Sequence, residues 1–256
     1  MDDKPIIISV YNMKGGVGKT TTVFNLGIQL TQFNRRVLLI DFDPNFNLSL
    51  YITDRGRYSN NICSLLFNML NDKECIIDSY IEQSPFGFDF VPSDITLAAI
   101  PSNISSDKLI ELIKNIISKI QCLAQYDYIL IDCPPKLSAL QISALTVSTG
   151  IIIPVQTQYL SLSSVYDTID VLDYLEYKPE LYGILLTMFE HTDMAIAIEE
   201  EILSNDKLKK ALFSTKIRKT TLLPESTVFH DIQFDSSYYI EYQRVCDELI
   251  DRVEPT

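Results

Sequence analysis

Residues 14 to 21 read Lys-Gly-Gly-Val-Gly-Lys-Thr-Thr, a string built from groups that handle phosphate. Gly15, Gly16 and Gly18, with Val17 between them, let the backbone curl so that its N–H groups point inward and form a nest for phosphate oxygens. Lys19 is placed to reach β- and γ-phosphates, the Thr20 hydroxyl to ligate Mg²⁺, and Thr21 to reach an α-phosphate. The plain alternative is a chance glycine-rich turn. Position argues against it: the string follows the apolar run Ile6-Ile7-Ile8-Ser9-Val10 and precedes a helical pattern. Gly18-Lys19-Thr20 supplies the end of the pattern G-x-x-x-x-G-K-[ST]. Met13 stands where its first glycine would be, and Lys14 adds a cation at the entrance. These two features mark a deviant Walker A loop.

Carboxylates fall where such a loop needs them. Asp132 follows the apolar run Tyr128-Ile129-Leu130-Ile131, the Walker B pattern, and would hold Mg²⁺, usually through a water. Asp41 and Asp43 end the run Val37-Leu38-Leu39-Ile40. Carboxylates at i and i+2 of an extended segment point the same way, so one can orient an attacking water while the other sits near the metal. A turn role for Asp43 beside Pro44 is the competing reading.

These groups must be carried by a regular frame. Strands are expected over Ile6–Asn12, 37–41, Phe88–Val91, 128–132, Ile151–Val155 and Tyr182–Phe189. Helices are expected over Thr20–Phe33, Asp107–Leu123, Ser138–Val147, Ser161–Leu175, Ala195–Leu203 and Ser237–Val253, with residues 59–84 helical and connective. Continuous apolar strands alternating with helices imply an α/β fold. Its doubly wound, mostly parallel sheet is covered by helices on both faces. Ligands in such folds sit at the carboxyl ends of the strands, where Lys14, Asp41, Asp43, Asp132 and Gln156 fall. The 256 residues contain no linker or repeat, and a single domain over 1–256 is expected.

Composition narrows the classes. No apolar run is long enough for a membrane span, and Met1-Asp2-Asp3-Lys4 is too acidic for a signal peptide. Five cysteines without a C-x-x-C pair suggest a reduced cytosolic protein lacking a structural metal. His191 and His230 are read as ordinary residues. The net charge of −13 argues against a wholly anion-binding surface. A local exception runs from Lys207 to Lys219: Lys207, Lys209, Lys210, Lys216, Arg218 and Lys219, with no acidic residue between them. A solvated helix face beside a strand is the even alternative.

Three strings, Lys14–Thr21, Val37–Pro44 and Tyr126–Pro135, together resemble the ParA/MinD family of deviant Walker ATPases, closest to its ParA (Soj) partition branch. Val91–Ala98, Pro154-Val155-Gln156 with Leu162, and Gly183–Phe189 extend the likeness nearly end to end. The resemblance implies a P-loop NTPase fold, ATP and Mg²⁺ as cofactors, and an ATP-dependent sandwich homodimer. It makes Lys14 the signature lysine reaching the partner's phosphates and Lys19 the β/γ-phosphate ligand. Thr20 and Asp132 become the metal residues, with Asp41 assisting, and Asp43 positions the hydrolytic water. It further implies slow ATP hydrolysis, nonspecific binding to DNA, a ParB-like adaptor that stimulates turnover, and a cytoplasmic, nucleoid-associated protein driving plasmid or chromosome partition.

The chain departs from that pattern in three places. Asn45-Phe46-Asn47 replaces the branch's Gln-Gly-Asn, so a phenylalanine stands for a glycine. Arg218 stands where a proline usually lies near adenine, and can stack on the base instead. Leu222 and the stretch Phe234-Asp235-Ser236-Ser237 lack the basic residues that the resemblance would place there for DNA. Lys207, Lys209, Lys210, Lys216 and Lys219 are the candidates to restore a phosphate-contacting face. Three other functions compete. The same engine could position a protein cargo such as a microcompartment or receptor cluster. Membrane cycling of the MinD kind needs a basic amphipathic terminal helix, whereas residues 246–254 are acidic. A cluster-carrying reductase needs placed cysteines, and Cys133 reads as a small packing residue.

Overall fold

Apolar runs with no polar face become interior strands because both their faces are covered. The computed structural model describes residues 4–53, 58–123, 125–158, 162–220 and 236–254. Along the chain lie β1 (Ile6–Val10), α1 (Lys19–Gln32), β2 (Val37–Asp41), α2 (Asn47–Ile52), α3 (Ile62–Leu70), β3 (Glu82–Gln83), β4 (Asp89–Val91) and α4 (Ile100–Asn103). There follow α5 (Ser106–Cys122), β5 (Tyr128–Asp132), α6 (Ala139–Val147), β6 (Gly150–Gln156), α7 (Ser163–Asp173), β7 (Glu180–Thr187), α8 (Asp193–Ser204), α9 (Asp206–Ala211) and α10 (Ser237–Val253). The strands form one sheet in the order β3-β4-β2-β5-β1-β6-β7. It is parallel except for the short edge pair β3–β4.

Alternating strand residues feed two cores. Ile7, Leu38, Ile40, Ile129, Ile131 and Ile153 face a layer built from α3, α5, α6, α7, α8 and α9. Ile8, Val10, Leu39, Tyr128, Leu130 and Leu185 face α1, α2 and α10. Helix α1 lies close on the sheet because Gly27 leaves room: a Cβ there would stand 3.0 Å from Leu39. Gly183 does the same for Phe213, whose ring occupies the place of a side chain.

The register decides the chemistry. β1 and β2 both pair with β5, so Val10, Asp132 and Asp41 lie side by side at the carboxyl edge. Three strands thus deliver the phosphate loop and two carboxylates to one place.

Several elements differ from the sequence expectation. The first strand stops at Val10 because the buried Asn12 amide turns sideways, donating to Pro154 O at 2.8 Å and Ser164 Oγ at 3.1 Å. β7 stops at Thr187 because Met188 takes the left-handed conformation, φ 49°. Residues 59–84 resolve into α3, a 3-10 turn at Ile77–Tyr80 and β3. The short helices α2, α4 and α9 escape a periodicity reading, since four to six residues make too few turns to show a face. The expected helix start Ser161, the residues at Leu222 and Phe234-Asp235, His230 and the residues preceding Lys4 lie outside the described residues.

Candidate phosphate-binding site

Loop residues 14–18 wrap over the end of β1 and hand directly into α1. Gly16 and Gly18 carry φ of 74° and 89°, values at which any side chain is strained. Gly18 is the N-cap of α1, and no side chain caps that end. The first-turn N–H groups lack helical partners by geometry, so the positive end of the helix is open to an anion. The loop is fastened from outside. Thr187 Oγ1 donates to Val17 O at 2.9 Å, and the Lys14 N–H donates to Asn12 Oδ1 at 2.8 Å.

Lys19 is buried, 7% exposed, and its ammonium donates to Lys14 O at 2.9 Å, folding back across the loop. Burial lowers its pKa, while Asp132 opposes that shift. A cavity of about 420 Å³ opens above, lined by Gly15, Gly18, Lys19, Thr20, Thr21 and Asp43 among others. Lys14, the first residue of the loop, is half-buried.

The carboxylates beneath the cavity have unequal surroundings. Asp132 is fully buried; its Oδ2 accepts from Thr20 Oγ1 at 2.7 Å. Its Oδ1 has no hydrogen-bond partner. A buried, unpartnered carboxylate oxygen is costly, and burial together with the neighbouring Asp41 holds this carboxyl well above its ordinary pKa. A threonine hydroxyl beside such an oxygen is a donor set suited to a hard divalent cation.

Asp41 is also fully buried but is engaged on both oxygens. Oδ1 accepts from the Asp43 N–H at 3.0 Å, and Oδ2 accepts from the Ser49 N–H and hydroxyl at 2.9 and 2.8 Å. Burial pushes its pKa up to about 7 against those hydrogen bonds. Asp41 therefore works as a brace that fixes the 43–47 turn to α2. Asp43 alone lines the cavity, with its Oδ1 accepting from the N–H and side-chain amide of Asn45, both at 2.9 Å. Phe46, standing where a glycine was expected, retains a glycine-like conformation at φ 46° and caps α2.

A second cavity of about 240 Å³ adjoins the first, sharing Gly18, Thr21, Tyr51 and Met188 with it. Thr187, Ile217, Arg218, Lys219, Thr220 and Tyr242 complete its wall. Arg218 thus lines a cavity together with Gly18 and Thr21 of the phosphate loop and its helix. Sequence reading does not single out Tyr51, Thr187, Met188 or Tyr242 as site residues: none belongs to a phosphate-binding motif, and they come from α2, the end of β7 and α10.

The basic run divides. Lys216 pairs with Glu199 at 2.5 Å and lies over the Phe189 ring. Lys219 pairs with Glu190 at 3.0 Å, and Arg218 pairs with Glu241. Lys207, Lys209 and Lys210 project from α9, exposed, with no ion pair among the described residues. The sequence shows no acid inside the run; the fold brings acids in from α8, α10 and the loop after β7. Cys133 is buried, and burial pushes its thiol up to about 12.

No helix among the described residues is long and apolar enough to cross a membrane. The AAA domain family (AAA_31) matches residues 6–182. The sporulation initiation inhibitor protein Soj of Bacillus subtilis is 34% identical over 229 residues, 84% of this chain and 83% of Soj. A plasmid partition protein of Borrelia burgdorferi B31, bound to AMPPNP, superimposes with a TM-score of 0.83 at 24% identity, over 98% of this chain and 100% of that one. A cobyrinic acid a,c-diamide synthase of Mycobacterium smegmatis, with bound ATP analog and magnesium, gives 0.76 at 26% identity, over 96% and 95%. The fold is that of the P-loop NTPases, and the chain belongs to the AAA domain family that unites the ParA/MinD-like proteins.

Proposed function

We propose that this chain is a Mg²⁺-dependent ATPase of the ParA/Soj type, acting as one domain over 1–256. ATP binding closes a homodimer that holds DNA nonspecifically, and a ParB-like adaptor triggers hydrolysis during plasmid or chromosome partition. One observation carries the ATPase reading. An uncapped helix N-terminus and the buried Lys19 stand over Asp132, whose free oxygen is aligned by strand register beside Asp41.

In this reading the loop N–H groups and Lys19 bind the β- and γ-phosphates, and Thr21 reaches the α-phosphate. Thr20 and Asp132 hold Mg²⁺, which when bound neutralises charge on the phosphate oxygens. Lys19 leaves Lys14 O for the nucleotide, a short move for a flexible side chain. Asp43, held by Asn45 at the cavity wall, orients the attacking water. Asp41 acts one step removed, by keeping the 43–47 turn against α2. Lys14, the first residue of the loop, takes the family role of reaching the partner's phosphates. Arg218 flanks the base.

DNA contact falls mainly to Lys207, Lys209 and Lys210. Lys216 and Lys219 contribute less, being neutralised by Glu199 and Glu190. A cluster of this size supports sequence-independent, salt-sensitive binding, strengthened by dimerisation.

The test is binding to nonspecific duplex DNA with ATP, ADP or no nucleotide, for wild type and Asp43→Ala. The expected result is binding that requires ATP, persists in the hydrolysis-defective variant and weakens steeply with salt. An ATP-bound dimer that ignores DNA at low salt would overturn the partition reading and leave the ATPase standing.

A further inference from the structure

Glu241 lies in the second turn of α10 and is 6% exposed. Buried carboxylates need partners, and among the described residues both of this one's hydrogen bonds come from a single residue. The Arg218 backbone N–H donates to Oε2 at 3.0 Å, and Arg218 Nε donates to Oε1. Arg218 itself is 63% exposed along its side chain and forms part of the wall of the 240 Å³ cavity beside Gly18 and Thr21.

Helix α10 grips the neighbouring backbone elsewhere too. Glu248 accepts from the N–H groups of Ser214 and Thr215 at 2.7 and 2.9 Å. Arg252 donates to the carbonyls of Tyr182, Ala211 and Leu212. Those contacts hold main chain only. Glu241 alone among them also holds the side chain of a residue of the 240 Å³ cavity wall, and the two together line a neighbouring cavity of about 550 Å³. The next residue, Tyr242, lines the same cavity and lies within 3.3 Å of Thr22 Oγ1 on α1. Residues 241 and 242 therefore tie the cavity wall on one side and the phosphate helix on the other.

We propose that Glu241 is a positioning residue for the nucleobase: it pins Arg218 as a preformed wall of the base pocket while touching no part of the nucleotide. The inference rests on the nucleotide reading above and deepens it. An unpinned arginine must lose its rotamer freedom at the moment of binding; one already held by its Nε edge presents a fixed guanidinium plane. A fixed plane stacks on a base without that loss. The glycine-rich loop is held separately, by Thr187 Oγ1 on Val17 O and by Asn12 Oδ1 on the Lys14 N–H.

The experiment is calorimetric titration of the full chain with Mg-ATP and, separately, with Mg-tripolyphosphate, which carries the phosphates but no base. The proteins are wild type, Arg218→Ala, Glu241→Ala, Glu241→Gln and the Arg218→Ala/Glu241→Ala double variant. Glu241→Ala and Arg218→Ala should each weaken ATP by roughly tenfold, the scale of one base-stacking side chain. Tripolyphosphate affinity should change less than about twofold, because the stacking side chain touches only the base. Glu241→Gln, which keeps one acceptor oxygen, should recover part of the loss, and the double variant should be no worse than Arg218→Ala. Equal losses for both ligands in Glu241→Ala would show a general structural role and overturn the proposal. So would an unchanged Glu241→Ala beside a weakened Arg218→Ala. Should Glu241→Ala not fold, Arg218→Ala and Glu241→Gln still decide it: an unchanged ATP affinity in both overturns it. A wild type that binds tripolyphosphate but not ATP removes the nucleotide reading and this inference together.

Discussion

The two ends of the candidate site are made differently. The phosphate end is backbone: glycines at positive φ, a helix terminus without a cap, and strand ends in register. The end proposed for the base is side chain: Tyr51 from α2, Met188 after β7, Arg218 from an extended segment and Tyr242 from α10. A backbone nest is specified by a short contiguous string, because φ angles are local. A side-chain wall is specified by packing among elements far apart in the chain. The first end should therefore be intolerant at every position, and the second should yield gradually, residue by residue.

That contrast can be broken most sharply at the phosphate end. Lys19→Ala should lower ATP turnover by about 10²–10³, the cost of removing one preorganised electrostatic group. Steady-state phosphate release reads it. A loss below roughly tenfold would mean that the loop N–H groups carry the charge alone.

Asp132→Asn separates chemistry from stability. Turnover should collapse, yet the nucleotide-free protein should gain about 1–3 kcal/mol at pH 8, since the buried carboxylate charge, with one oxygen unpartnered, is removed. Asp41 and Asp132 both titrate above their unfolded values. Between the ordinary carboxylate range and about 7, the folded wild type holds protons the unfolded chain has released. Wild-type stability therefore falls as pH rises through that window, and the advantage of Asp132→Asn shrinks as pH falls. Thermal melts from pH 5 to 8 check this. A less stable variant at pH 8 would show that the Thr20–Asp132 hydrogen bond outweighs the cost of the unpartnered oxygen.

The basic run offers an intermediate effect. Replacing Lys207, Lys209 and Lys210 with alanine should flatten the salt dependence of DNA binding by about 2–3 in log–log slope, near one for each phosphate no longer neutralised. Replacing Lys216 and Lys219 should change it by less than about 1, because Glu199 and Glu190 already neutralise them. Equal slopes would mean that those pairs open on DNA.

Phe46→Gly should do least. Relief of a left-handed conformation worth about 1–2 kcal/mol is offset by roughly 0.5–1 kcal/mol of backbone entropy and by lost packing of the half-buried ring. Chemical denaturation should show a shift under about 1 kcal/mol, with turnover unchanged. A large change in turnover would tie the Phe46 ring to the geometry of Asp43.

Both cores are legible from the apolar runs Val37–Asp41 and Tyr128–Asp132, since each strand is covered on two faces. The phosphate loop is legible because its string is contiguous. The direction of Asp41 is not. Its period along the strand is as expected, but Ser49 on the short helix α2 occupies one of its oxygens and the Asp43 N–H the other. The Lys207–Lys219 run reads as uniformly basic, because partners from α8 and α10 are invisible to a linear count of charge.

By itself the sequence determined the sheet-and-helix alternation, the nest of Gly15, Gly16 and Gly18, and the carboxylates at strand ends. Each depends on local φ preference or on side-chain period, which act within a few residues. Tertiary structure alone decided that Asp132 keeps one oxygen free while Asp41 keeps none, and that Arg218 is held by Glu241. It also decided which lysines of the basic run have their charge matched by an acid. Those outcomes depend on distances between residues far apart in the chain, and only the packed fold sets such distances.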